Sequence, residues 1–556
     1  MYQSILDLTK ELVAIPSVNG TPGERAIVDH IERRLREIPY FAAHPDQVIL
    51  QEMGDYENRA NVFAIVKGEK RPCNDTVILH GHVDTVGTED YAGIEGYAFD
   101  CDALPERTRA LTDDADVLAD IDSGEWLFGR GAADMKAGVA LIFCVAKYYA
   151  EHPDKLEGNL IFMANPVEEN QHTGIMSSLR VLKELRDKEG FRYVMAINTD
   201  TSTPLHPGDQ TRYFHAGSVG KLLPCFYIMG KPTHVSQYFD GFSASLTAAE
   251  IVRRLDGNAD YIEKFYGEHA QPPTVLKMKD LKPSYNVQTA TAAFVYFNYF
   301  LLGSPIDALM EKFKAVSRDA LDAVLSHTDA QFKSYADKLE DEKYTEIKLQ
   351  TQVLSYSELY AIAKEKSGDV ETRVASITER GLRENTDRRE LCLAIVEALC
   401  VLAEINIPTV VVFIAPPYCP RNTMKTEVPE EEALWDRVDG ILKRKAGEAE
   451  ETYKLLHFFT GLSDSSYIKM DDNAESVRCL IENFPDFKTI YNVPTELIQE
   501  LSIPAFDFGV LGKDAHKWTE RLHMPYSFGV LPGIVMAVVE EILGGESGGK
   551  PAAEKP

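Results

Sequence analysis

Asp75-Thr76-Val77-Ile78-Leu79-His80-Gly81-His82-Val83-Asp84-Thr85-Val86 is the stretch from which the rest of the chain is read. Its apolar run is bounded by polar residues, the pattern of a buried strand, so His82 and Asp84 fall where a strand gives way to a loop. Extended side chains two residues apart project to the same side. An imidazole beside a carboxylate suits a metal ligand held in one tautomer by an acceptor behind it. Taken alone, the pair reads better as a solvated histidine and an ordinary turn aspartate. The downstream sequence changes that balance.

Gly129-Arg130-Gly131-Ala132-Ala133-Asp134-Met135-Lys136-Ala137-Gly138 leads into an apolar helix over 139–149 and places Asp134 in a constrained loop near its start. By itself Asp134 reads as a helix cap, worth about 1 kcal/mol. A strand over 159–165 then ends in Pro166-Val167-Glu168-Glu169-Asn170, and another over 193–199 closes on Asp200. Paired glutamates at a strand end are usually surface residues. Four successive strand ends carrying His82 with Asp84, Asp134, Glu168 with Glu169, and Asp200 are another matter. Ligands of open α/β sheets bind at the carboxyl ends of the strands, so the pattern reads as a metal site.

At 556 residues the chain exceeds a single core, and two or more domains are expected. Its 44% hydrophobic and 26% charged content is that of an ordinary soluble protein. Fifty-eight Lys and Arg against 87 Asp and Glu leave a net charge of −29, which argues against nucleic acid or an anionic membrane as the main partner. The eight cysteines form no CxxC pair and several lie in apolar runs, as expected of reduced core thiols. No signal peptide opens the chain and no uninterrupted apolar run reaches membrane-spanning length. A cytoplasmic protein is expected.

The periodicity predicts helices over 2–14 and 24–38, a strand over 61–66 and a loop from about 87 to 125. From about 214 the character changes: a strand over 221–229, a turn carrying His234, a helix over 243–255, then a helix-rich, charged, glycine-poor stretch over 300–380. A helix over 390–403 and a strand over 409–415, ended by Pro416-Pro417, close this block. Helix and strand alternate again from about 426. These features predict an α/β protein with a discontinuous metal-binding domain, 1–213 and 425–545, and an inserted domain over 214–424 with a helical insertion near 300–380. The tail 546–556 is expected to be disordered.

With those residues in hand, the chain resembles the superfamily of co-catalytic zinc peptidases and amidohydrolases that contains aminoacylases, tripeptidase T and glutamate carboxypeptidases. The resemblance runs through LVAIPSVNGTPGE, HGHVDTV, GRGAADMKAG, PVEEN, NTD, GKPTHVSQ and GKDAHKWTE. GKDAHKWTERL, VLSYSEL and APPYCP look more like the arginine-utilisation protein branch. The resemblance implies a three-layer catalytic domain with an α+β domain of the lid or dimerisation type, here enlarged by extra helices. It implies two divalent cations, zinc or else manganese or cobalt. His82 and Asp200 would bind one, Glu169 and His516 the other, and Asp134 would bridge them. Asp84 would orient His82, and Glu168 would be the general base for a metal-bridging water. His234 matches the histidine that stabilises the oxyanion in relatives, often across a dimer; a homodimer through the inserted domain or a closing motion would deliver it. Arg388 or Arg389, in a stretch like the family's Asp-x-Arg, would bind a substrate carboxylate. The Asp134–Met135 peptide is expected to be cis.

The implied activity is hydrolysis of an amide or peptide bond in a small peptide or N-acyl amino acid. The alternative is a non-catalytic metal- or ligand-binding relative in arginine utilisation. One departure bears on the pocket: Val167 stands where the family has an acidic residue before the two glutamates.

Overall fold

The computed structural model describes residues 1–545 except 56, 207, 340–342 and 462; the expected disordered tail, 546–556, lies outside the described residues. The chain forms two compact units, one from 1–218, 422–470 and the chain from 496 on, the other from 219–421 and 471–495.

An eight-stranded sheet organises the first unit, in the order Val48–Glu52, Ala60–Lys67, Glu157–Asn165, Arg71–His82, Arg192–Asn198, Ala505–Asp507, Arg212–His215 and Tyr453–Leu456. Arg71–His82 runs parallel to both Glu157–Asn165 and Arg192–Asn198. Their carboxyl ends therefore share one edge, as the motif order requires. Alternate side chains face opposite ways: Val62, Ala64, Val66, Leu160 and Phe162 join one cluster with the helices Ala137–Glu151 and Leu531–Gly544. Phe63 and Ile65, between them, are buried as well, and Thr173–Glu189 packs on the same strands. Both faces of the sheet are covered, which makes three layers. Pro525–Gly544 is long and apolar enough to cross a membrane by length and composition, and 61% of its 18-residue apolar window is buried inside the protein. It is a core helix.

The 87–125 stretch is not the loop that the sequence suggests. It holds the helices Leu104–Arg109 and Ala115–Ser123. Asp114 caps the latter by accepting the Asp116 and Val117 N–H groups, and Gly124 ends it in a left-handed conformation. Leu104 and Val117 pack with Tyr91 and Phe128 in a satellite core. Apolar residues too sparse for a visible period still suffice when a small cluster receives them.

In the second unit a five-stranded sheet runs in the order Thr274–Asp280, Ala292–Leu301, Gly220–Met229, Thr409–Cys419 and Gln352–Ser355. The helix-rich stretch holds Ile306–Ala336, Tyr356–Lys366 and Val370–Arg383, and it also contributes the edge strand Gln352–Ser355. The strand expected to end at Pro416-Pro417 continues to Cys419, with a register shift between Ala415 and Cys419. Prolines lack the ladder N–H and are tolerated at such an irregularity. Residues 471–495 return to this unit, where the Ser476 hydroxyl accepts the Ile306 N–H at 3.0 Å. All eight cysteines are free.

Phe162 is fully buried and meets Phe143 edge-to-face at 5.8 Å. Phe162→Ala is expected to destabilise the first unit by about 3–5 kcal/mol through lost burial and a residual cavity. Urea denaturation followed by intrinsic fluorescence measures the difference.

Candidate metal centre

The centre is assembled where three parallel strands end. Asp84, fully buried, accepts the N–H of Glu168 on one oxygen and that of Glu169 on the other, each at 3.1 Å. Asn19 Nδ2 adds a third donor at 3.0 Å. The ring of His82 is held close by: its Nδ1 lies 3.1 Å from the backbone carbonyl of Asp84 and 3.5 Å from the carboxylate. This leaves His82 Nε2 facing Asp134.

Asp134 does not cap the following helix, whose N-cap position is held by Lys136. Its loop, Ala132–Lys136, carries non-helical torsions at Asp134 and Met135, and the peptide between them is cis. Glu520 holds this loop by accepting the Ala133 and Asp134 N–H groups at 3.1 and 3.3 Å. Arg130 donates to the other Glu520 oxygen at 2.8 Å, and both side chains are buried. Close approach to the sheet depends on Gly138, where a Cβ would lie 2.2 Å from the Thr199 carbonyl oxygen.

The two Asp134 oxygens face different histidines: Oδ1 lies 3.0 Å from His82 Nε2, and Oδ2 lies 3.2 Å from His516 Nε2. His516 Nε2 is also 3.0 Å from Glu169 Oε1. Two triads of donor atoms result, His82 with Asp134 and Asp200, and Asp134 with Glu169 and His516, each with its ligating atoms within 4.8 Å of one another. Glu168 stands beside them, its Oε2 4.0 Å from His82 Nε2. Two more groups include Glu168: one with His82 and Glu169, the other with His172 and Asp464, residues that the sequence reading did not single out.

Burial lifts the Glu168 carboxyl well above the ordinary range, and Glu169 adds to it. Asp200 is raised the same way, by burial and then by Asp134. Burial would raise Asp134 too, but hydrogen bonds from His516 and His82 outweigh it and hold the group low. His516 is pushed up to about 11 by its hydrogen bonds to Asp134 and Glu169. The carboxylates thus exceed the positive charge that two imidazoles bring. A mixed His and carboxylate donor set with one carboxylate shared between two triads fits a pair of divalent cations.

His234 belongs to the second unit, on an exposed turn, with Nδ1 accepting the Ser236 N–H at 3.2 Å. Arg388 and Arg389 open the helix Arg388–Leu402 in that unit. Arg389 pairs with Asp387, whereas Nε and Nη1 of Arg388 are buried without a hydrogen-bond partner among the described residues.

Residues 96–505 match the family model described as peptidase family M20/M25/M40. The chain belongs to that family. The M20 match takes in Asp134, Glu168, Glu169 and Asp200, while His82, Asp84 and His516 lie outside it. Over its whole length this M20 chain is similar to protein RocB of Bacillus subtilis (strain 168), 36% identical over 96% of this chain and 94% of that one. It is also similar to the uncharacterized protein YqjN of the same organism, at 33% over 99% and 98%. A tripeptidase from Staphylococcus aureus subsp. aureus Mu50 shares the fold, with a TM-score of 0.51 at 15% identity, covering 98% of this chain and 99% of that one.

Glu520→Ala would strip Arg130 of a buried partner and orphan two loop N–H groups. Breaking such a buried pair costs about 3–5 kcal/mol. The variant is expected to unfold at lower denaturant and, since the loop carries Asp134, to retain less metal by elemental analysis.

Proposed function

We propose that this M20 protein is a two-metal hydrolase that cleaves an amide or peptide bond in a small substrate. The supporting observation is the Asp134 carboxylate, which directs one oxygen to His82 and the other to His516. In this reading His82 and Asp200 hold one cation, Glu169 and His516 the other, and Asp134 bridges. The cations are zinc, with manganese or cobalt as the alternatives. When bound, they supply Lewis-acid polarisation and lower the pKa of water.

The chain's own residues handle the protons. Glu168 accepts the proton of the attacking water on its carboxylate and returns it to the leaving nitrogen. Its neighbour Glu169 is left to bind metal: its Oε1 lies 3.0 Å from His516 Nε2, and both backbone N–H groups are held on Asp84. His234 donates to the oxyanion formed at the scissile carbonyl. Its Nδ1 accepts a backbone N–H, so in the neutral ring Nε2 carries the proton, as a donor requires. The donor arrives from a neighbouring subunit in a homodimer or by domain closure. Arg388 fits a substrate carboxylate better than Arg389, which Asp387 already engages. Substrates are small peptides or N-acyl amino acids, with arginine derivatives included because GKDAHKWTERL, VLSYSEL and APPYCP resemble the arginine-utilisation protein branch. The free cysteines accord with a cytoplasmic setting.

The rival reading is a metal- or ligand-binding relative without turnover. Elemental analysis, followed by a screen of dipeptides and N-acyl amino acids before and after chelation, separates the two. Turnover that chelation abolishes and zinc restores is expected; a metal-loaded protein inert across the panel supports the rival.

Glu168→Gln is expected to keep both metals and lose turnover by about 10²–10⁴-fold, since an amide cannot accept the proton. Glu169→Gln should instead lower metal content. Equal metal content in the two variants would contradict this division of roles. His234→Ala should cut kcat with metal and fold intact, by about 10²–10³-fold. Mixed with Glu168→Gln, it regains activity only if the donor crosses between chains.

A further inference from the structure

We propose that His172 and Asp464 form a positioning pair that fixes the carboxylate of Glu168; the inference rests on the reading of Glu168 as general base. His172 Nδ1 lies 3.1 Å from Asp464 Oδ1 and 3.7 Å from Glu168 Oε1. The other Glu168 oxygen is 4.0 Å from His82 Nε2. The carboxylate is therefore set between two imidazoles, one at each oxygen. His172, Asp464 and Glu168 are 2%, 1% and 8% exposed, so these polar contacts form away from bulk water, where they are strongest.

Each member is itself held. His172 precedes the helix Thr173–Glu189 in a left-handed conformation, φ 54°, uncommon for residues other than glycine though histidine tolerates it better than most. Its N–H closes the turn on the Val167 carbonyl at 2.8 Å, and Val167 is also left-handed at φ 73°. The turn wraps the two glutamates and points the imidazole back at Glu168. The Tyr467 ring flanks the imidazole, with centroids 4.9 Å apart. Asp464 is fixed from both sides: Ser463 and Ser465 each donate to Asp507 Oδ1 at 3.0 Å, and Asn198 Nδ2 donates to the Ser463 hydroxyl at 2.8 Å. Asp507 and Asn198 end adjacent parallel strands, so the pair is tied to the same sheet edge that carries the candidate metal ligands.

A purely structural role, anchoring the helix, would give the same static contacts. Crystal structures and kinetics of the zinc-loaded wild type, His172→Ala, His172→Gln and Asp464→Asn discriminate. Positioning predicts one Glu168 conformer in the wild type and a turned or split one in His172→Ala. With a dipeptide or N-acyl amino acid that the wild type hydrolyses, it predicts kcat lower by about 10–100-fold, with KM and metal content unchanged. His172→Gln, whose amide still donates, recovers part of the loss. An unmoved Glu168 in the His172→Ala crystal overturns the proposal, as does a loss of kcat that follows loss of metal. Glu168→Gln, assayed alongside, keeps the two ideas apart. If it remains active, the base assignment falls, and the Glu168 conformer still decides the positioning.

Discussion

The carboxylate of Asp84 is the constraint on which the centre depends. It sits just past the end of one parallel strand and binds, through its two oxygens, the N–H groups of both glutamates that follow the neighbouring strand. A buried carboxylate without donors would be costly. Burial would raise Asp84, yet His82, Asn19 and the Glu169 N–H outweigh it and hold the group ionised below its ordinary value. One fixed charge thus orders a histidine and two glutamates. Glu168 and Glu169 follow one another on that held backbone, with Glu169 Oε1 3.0 Å from His516 Nε2 and Glu168 Oε1 3.7 Å from His172 Nδ1.

Much of this arrangement is legible in the sequence because it is local to strand ends. The runs at 77–79, 159–165 and 193–199 each close on acids or histidines, and parallel pairing brings such ends together by necessity. Asp134 is the instructive exception. Its place before a helix reads as a cap, and only the loop torsions and the hold of Glu520 turn the side chain toward both histidines. Glu520 stands in the GKDAHKWTE stretch, close to His516, but nothing in that stretch reveals a carboxylate aimed at a loop nearly four hundred residues earlier.

His172 and Asp464 were beyond reach for the same reason. They are 292 positions apart, and each has a bland local reading, one near a helix start and one in a serine-rich turn. The return of 471–495 to the second unit was likewise silent, since helix and strand alternate on both sides of it. Local period reveals which residues lie on an edge. It does not reveal which distant loop is folded over that edge, and buried polar networks are built from such loops.

Exposure across the centre is graded, and the gradient has a chemical consequence. The His82 side chain is 1% exposed and Glu169 7%, Asp134 stands at 13%, and His516 reaches 49%. A group entering the cluster meets His516 first and His82 last. The buried end is tied to the sheet through Asp84. The open end hangs on a loop where His516 has φ 65°, and that loop is braced through Asp514 by Thr519 and Arg521. Charges at the closed end act through few water molecules and are strong there; those at the open end are screened. The half of the centre that faces solvent must therefore be held by geometry. The left-handed backbone and its braces supply that where burial does not.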